Sequence, residues 1–246
     1  MNNWQNEKRS ERVIIALDCE VEKAISIVNE LKGEAKWVKI GMTLYYAYGE
    51  MLVRICKECG FNVFLDLKFF DIPHQVKGAA KSATLTGADM LTMHAVGGQA
   101  MMKAALEGIS ELSEGPSPKV KGASPATLAI TVLTSMNQTD LTAMGVSREV
   151  ETQVKALAEM AHSAGLSGVV ASPKEAKMLR AALGEDALIV TPGVRPAGAD
   201  VGDQSRVTTP AEAFNNGASH IVVGRPITAA ADPISAFRAI AAEVDA

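Results

Sequence analysis

Asp66, Lys68 and Asp71 stand in the stretch Asp66-Leu67-Lys68-Phe69-Phe70-Asp71-Ile72-Pro73-His74, directly after the apolar run Asn62-Val63-Phe64-Leu65. The run reads as a buried strand, and side chains on a strand alternate between faces. Asp66 and Lys68 then point one way and Leu67 the other. Pro73 ends the extended segment and suits the first turn of a helix, which leaves Asp71 just beyond the strand. Two carboxylates and an ammonium therefore crowd one strand end. Burying an unpaired ion costs on the order of several kcal/mol, so packing alone rarely selects this arrangement. It is either a structural ion pair or a site. As a site, a cation held between carboxylates can face charge that develops in a reaction, and can donate a proton to it.

The elements that must position these residues alternate along the chain. Apolar, β-rich runs occur at Val13 to Asp18, Trp37 to Gly41, Asn62 to Lys68, Met90 to Ala95, Thr127 to Leu133, Gly168 to Ala171, Ala187 to Thr191 and His220 to Gly224. Between them lie helical segments: Val21 to Leu31, a helix through Cys59, Pro73 to Thr86, Gln99 to Ile109 and Glu149 to Ala164. Ser172-Pro173-Lys174-Glu175 and Thr209-Pro210-Ala211-Glu212 read as capping boxes with Pro at the first helical position, and Asp232-Pro233 caps a last helix. The stretches Ser113 to Pro125, Thr134 to Ser147 and Pro192 to Val207 read as polar or Gly-rich connections. About eight strand–helix units without a composition break predict an α/β protein of one domain, a (β/α)8 TIM barrel over residues 12–246. Residues 1–11 form a polar N-terminal extension. A doubly wound open sheet is the competitor, but Asp18-Cys19-Glu20 follows the first strand where a dinucleotide fold would carry G-x-G-x-x-G.

Barrel chemistry sits at the C-terminal strand ends. Those ends supply Asp18, Lys39, Asp66 with Lys68, His94, Thr134 with Ser135, Ser172, Pro192 with Arg195, and Gly224 with Arg225. The loops after strands seven and eight commonly bind phosphate, and here they hold Gly193, Arg195, Gly198, Gly202, Gln204, Gly224 and Arg225. Glycine lets backbone N–H groups approach an anion, and Arg adds a charge-assisted fork.

Jointly these motifs resemble the orotidine 5′-phosphate decarboxylase family. The likeness rests on Ala16-Leu17-Asp18, Val38-Lys39-Ile40-Gly41, Asp66-x-Lys68-x-x-Asp71 with Ile72-Pro73, Leu133-Thr134-Ser135, Thr191-Pro192-Gly193-Val194-Arg195-Pro196 and Val223-Gly224-Arg225-Pro226-Ile227. It implies a homodimeric barrel that converts orotidine 5′-phosphate to UMP, the last step of pyrimidine nucleotide synthesis, without metal or organic cofactor. By the same resemblance Lys39, Asp66 and Lys68 of one subunit join Asp71 of the other around C6 of the pyrimidine, and Lys68 protonates C6. Asp18 and Lys39 would hold ribose hydroxyls, and Ser135, beside Thr134, the pyrimidine amide edge. Gln204, Arg225 and the Gly224 backbone would bind phosphate, with Pro192 and Arg195 shaping that loop. The family usually reads Asp-Ile-Pro-Asn-Thr, with the Thr reaching the partner's ribose. This chain has His74 and Gln75 there, so Gln75 stands in for the Thr. A related sugar-phosphate group shares Asp-x-Lys-x-x-Asp but uses Mg²⁺, held partly by an acidic residue where this chain has Lys39. A silent nucleotide-binding barrel is a further alternative, opposed by the intact charged set.

Composition narrows the remaining classes. At 246 residues, 48% hydrophobic and 21% charged, the chain can bury a sizeable core, and its net charge of −4 offers no broad basic face for nucleic acid. No apolar run of spanning length exists and the start has no apolar core of a secretory signal, so no membrane role and a cytoplasmic location are expected. Three cysteines suit a reducing compartment. Cys56 and Cys59 form a C-x-x-C that falls in a helical pattern with no second pair for zinc. His94 reads as a hydrogen-bonded support rather than a metal ligand, His162 and His220 as ordinary element positions, and Met101, Met102 and Met160 as core filler.

Overall fold

The computed structural model describes residues 4–113, 124–196 and 208–246. Its strands are β1 (Val13–Ala16), β2 (Trp37–Gly41), β3 (Asn62–Phe69), β4 (Met90–His94), β5 (Ala126–Ile130), β6 (Gly168–Val170), β7 (Leu188–Thr191) and β8 (His220–Val223). They pair in parallel, in chain order, and β8 closes on β1. The chain is therefore a single-domain (β/α)8 barrel, and every strand expected from the sequence is present, most with ends one to three residues shorter.

Alternation explains both layers of the core. In β1, Ile14 and Ala16 face the lumen while Val13 and Ile15 face the surrounding helices. Trp37, Phe64, Met90, Leu128, Leu188, Val190 and Val222 fill the lumen in the same way. Side chains further along the inward rows of β2, β3 and β4, namely Lys39, Asp66 and Thr92, thus reach the C-terminal end of the lumen. The register sets Lys39 beside Phe64 and Gly41 beside Asp66.

The N-terminal mouth is plugged by rings. His220, at the start of β8, meets Trp37 edge-on at 5.6 Å and Trp4 at 6.5 Å. The Arg12 guanidinium lies 5.3 Å from the Trp4 ring and 4.9 Å from that of Phe214, and donates to the Ser219 carbonyl at 2.9 Å. The polar start of the chain thus contributes one large apolar ring to the floor.

Several helical boundaries differ from the sequence reading. The segment after β2 is two helices, Met42–Tyr48 and Glu50–Glu58, because Gly49 adopts φ +62° between them, a region open to glycine. Cys56 is buried in the second helix and Cys59 caps it, and both are free thiols, as the helical pattern implies. The Thr134 to Ser147 connection contains a helix, Gln138–Ala143, started by an Asn137/Asp140 capping box. The Thr209/Glu212 box forms as expected. At Ser172 only part of the box forms. The Glu175 carboxylate accepts from the Ser172 backbone N–H, but the helix begins at Ala176. A short helix, Arg225–Thr228, follows β8. Most of Ser113 to Pro125 and of the Gly-rich loop after Pro196, with Gly198, Gly202 and Gln204, lie outside the described residues.

Burial, with the nearby Arg12 charge, pushes His220 down to about 3 from 6.5. The folded state therefore keeps His220 neutral while the unfolded chain takes up a proton below 6.5, so this stability is present above 6.5 and lost as pH falls towards 3. Between pH 7.5 and 4.5 the loss is about 2.7 kcal/mol from this group. Urea unfolding at those two pH values should show a smaller acid loss for His220→Phe than for the wild-type protein. Equal losses would show that His220 does not govern acid sensitivity.

Candidate active site

At the C-terminal end of the barrel the four charged residues of β1 to β3 form a chain. Lys39 Nζ donates to Asp18 Oδ1 at 2.9 Å and stands 3.7 Å from Asp66 Oδ2. Lys68 Nζ donates to the same Asp66 Oδ2 at 2.8 Å. Lys39 and Asp66 are each 8% exposed, whereas the Asp18 side chain is 62% exposed. The inner pair is thus shielded from water and the outer end is open to a ligand. Gly41 gives this cluster its room, since a Cβ there would stand 3.2 Å from Asp18 Oδ1 and 3.3 Å from Lys39 Nζ.

Asp66 and Lys68 do share a face, but regular alternation is not the cause. Leu65 pairs with Leu91 and Phe69 with Met93, so three residues of β3 stand against Thr92 alone. Lys68 takes φ +54°, the one positive value at a non-glycine among the described residues. This bulge turns Lys68 back onto Asp66. Burial by itself would raise the Asp66 carboxyl. The Lys39 and Lys68 charges and the hydrogen bonds from Lys68 and Thr92 outweigh it and hold Asp66 below the usual carboxylate value.

These residues line an open cavity of ≈ 520 Å³ with an apolar floor that includes Ala16, Phe64, Ile130 and Val222. Asp18, Lys39, Asp66, Lys68, Thr134, Pro192, Arg195, Gly224 and Arg225 all line it. Thr228, from the turn after Arg225, also lines it and was not singled out from the sequence. Arg195 is buried, with Nη1 donating to the Val194 carbonyl at 2.9 Å. The ends of β1 to β3 therefore bring alternating charge to the cavity, and the ends of β7 and β8 bring Arg195 and Arg225 beside Gly193 and Gly224. That polarity suits a ligand with an anionic group at one end and a reacting centre at the other.

Ser135, Asp71, Gln75, His94 and Ser172 do not line the cavity, and Ser172 is fully buried just after β6. Ser135 is exposed on the loop after β5, one residue past Thr134. Asp71 is exposed and, among the described residues, forms no ion pair; its Oδ1 accepts from the Ile72 N–H. Gln75 is exposed in the first turn of the helix Pro73–Leu85. His94 also departs from the hydrogen-bonded support expected. Among the described residues its ring makes no hydrogen bond and instead meets Phe70 edge-on at 5.7 Å. Burial, then the Lys68 charge, lowers its pKa. No group of three His, Cys, Asp or Glu among the described residues could hold a metal ion.

The model of the orotidine 5′-phosphate decarboxylase / HUMPS family matches residues 11–240. The chain is 48% identical over 237 residues to orotidine 5′-phosphate decarboxylase of Moorella thermoacetica, covering 96% of this chain and 92% of that protein. It is 48% identical over 231 residues to the protein of that name from Cutibacterium acnes, covering 93% and 94%. The crystal structure of orotidine 5′-phosphate decarboxylase from Lactobacillus acidophilus superposes with a TM-score of 0.83 at 38% identity, over 96% of this chain and 100% of that one.

The charge chain makes a direct prediction. In Lys39→Ala, Asp66 loses the largest of the influences that lower its pKa, so its carboxyl should titrate at higher pH than in the wild-type protein. Carbon-13 NMR of labelled aspartate side chains reads this. An unmoved Asp66 titration would mean that Lys39 does not set its charge.

Proposed function

Because the chain belongs to the orotidine 5′-phosphate decarboxylase / HUMPS family, we propose that its charged cavity decarboxylates orotidine 5′-phosphate with Lys68 as proton donor and without a metal. At the coarser level the chain is an orotidine 5′-phosphate decarboxylase of pyrimidine nucleotide synthesis. The observation that carries the finer reading is the sequence of contacts Asp18–Lys39–Asp66–Lys68 along one wall of the cavity.

The phosphate is assigned to Arg225 and the Gly224 backbone, with Arg195 shaping the loop after β7 and Gln204 the further ligand that the family resemblance implies. The ribose hydroxyls meet Asp18 and Lys39, whose Nζ and Oδ1 already face each other at the open end. The pyrimidine then rests on the apolar floor with C6 towards Lys68. Cleavage of the bond from C6 to the carboxylate carbon releases CO₂ and leaves the electron pair on C6, where delocalisation is slight. A fixed ammonium stabilises that charge as it forms, at no cost of reorganisation. Lys68 Nζ–H then transfers its proton to C6, giving UMP, and solvent returns a proton to Lys68. Binding at the phosphate end supplies energy remote from the reacting carbon. Ser135, next to Thr134 on the cavity wall, is assigned to the pyrimidine amide edge.

A metal is not required. The end of β2 offers Lys39 to the cavity, and an ammonium 3.7 Å from Asp66 repels a divalent cation there. The free thiols are compatible with a cytoplasmic enzyme.

Asp71 acts in a second subunit. It leaves its own cavity and lies between Phe70 and Ile72, which are 62% and 64% exposed. Two large apolar side chains flanking an exposed carboxylate suit a buried two-fold interface that delivers Asp71, with Gln75 from the first turn of the following helix, into the neighbouring cavity. Lys68→Ala should lower kcat by on the order of 10²–10⁴-fold while UMP still binds, because the donor acts only once charge develops. Mixing Lys68→Ala with Asp71→Ala protein under subunit exchange makes half the dimers mixed, each with one intact site. Activity should recover to about one quarter of wild type. No recovery after proven exchange would place Asp71 in its own chain's site.

A further inference from the structure

On the reading above that Asp66 and Lys68 do the chemistry, the geometry points to Thr92 as the positioning residue that pins both of them, through one hydroxyl, without touching substrate. Thr92 is fully buried on β4 and does not line the cavity. It is the single residue opposite the bulge, between the Leu65–Leu91 and Phe69–Met93 pairs. The bulge takes the Lys68 N–H out of the regular ladder, and a buried N–H needs an acceptor. Thr92 Oγ1 is that acceptor at 2.9 Å, and it also contacts Asp66 Oδ1 at 2.9 Å.

The direction of both bonds follows from chemistry. An ionised carboxylate can only accept and a backbone N–H can only donate. The one hydroxyl proton of Thr92 is therefore given to Asp66, and a lone pair receives Lys68 N–H. Asp66 Oδ1 is held by Thr92, which turns Oδ2 towards Lys68 Nζ at 2.8 Å and Lys39 Nζ at 3.7 Å. The same oxygen holds the Lys68 backbone at φ +54°, a conformation a lysine seldom adopts unaided. One side chain thus fixes the carboxylate's rotation and the backbone from which the ammonium projects.

The test compares Thr92→Val, which keeps the shape and removes the hydroxyl, with Thr92→Ser, which keeps the hydroxyl. Thr92→Ala serves as a second hydroxyl-free variant should Val fail to fold. Removing the hydroxyl should lower kcat about 10²-fold, with KM for orotidine 5′-phosphate and UMP affinity within about twofold, as for a small misplacement of reacting groups. Thr92→Ser should stay within a few-fold of wild type. The acid limb of kcat/KM should move to higher pH in Val and not in Ser. The charged and titratable groups that face Asp66, namely Lys39 on β2, Lys68 on β3 and His94 on β4, are the same in both. Independently of activity, hydrogen exchange at the Lys68 amide should speed up in Val and stay slow in Ser. Wild-type kcat with slow Lys68 exchange in Thr92→Val would overturn the assignment. So would equal impairment of Ser and Val, which would make Thr92 mere filling. If the wild-type protein fails to turn over orotidine 5′-phosphate, the functional reading falls. Lys68 exchange then still decides whether Thr92 pins the bulge.

Discussion

Asp66 is a carboxylate 8% exposed, and the active end of the molecule is arranged around keeping it charged. Left alone in such a place it would take up a proton, because desolvation penalises the anion. Two ammonium groups and one hydroxyl reverse that outcome. Each partner comes from a different direction: Lys39 from β2, Lys68 from the bulge in β3 itself, Thr92 from β4. Removing one partner from a buried set leaves the others uncompensated, which is why such clusters are costly to break and hold their geometry tightly. A catalyst for a reaction that creates charge in its transition state needs this kind of fixed environment.

The barrel supplies it through parity. Lys39, Asp66 and Thr92 occupy inward rows whose earlier members, Trp37, Phe64 and Met90, are apolar and fill the lumen. Lys39 and Asp66 open into the cavity above, and Thr92 stays buried beside them. At the opposite mouth Trp4, Trp37 and His220 close the lumen, and Arg12 ties the chain's start to it. The working end can therefore hold several charges because the rest of each row is committed to packing.

Most of this plan is legible in the residues. Eight apolar runs locate eight strands, and charged or glycine residues at their ends locate the cavity wall. Asp-x-Lys spacing places Asp66 and Lys68 together, although by alternation when the operative feature is a bulge with positive φ at Lys68. A bulge depends on which residues of a neighbouring strand stand opposite, and a single run cannot disclose that. Thr92 is illegible for the same reason, since threonine on a strand usually reports nothing more than β-propensity. The helix break at Gly49 and the helix after Asn137 do carry local signals, a glycine and an Asn/Asp capping pair. The apolar residues on both sides of Gly49 hide the first, and the polar composition after Asn137 hides the second. The exposed position of Asp71 is of another kind: it stands between the bulge and the helix Pro73–Leu85, and the role proposed for it needs a second copy of the chain, which no pattern within one chain displays.

Without a metal, this set of side chains is proposed to turn orotidine 5′-phosphate into UMP. Purified protein treated exhaustively with a chelator and mixed with orotidine 5′-phosphate tests it, with the fall in absorbance and product identity followed together. The account predicts complete conversion to UMP at a rate unchanged by chelation and not raised by added Mg²⁺. No conversion, or conversion lost on chelation and restored by Mg²⁺, would contradict it.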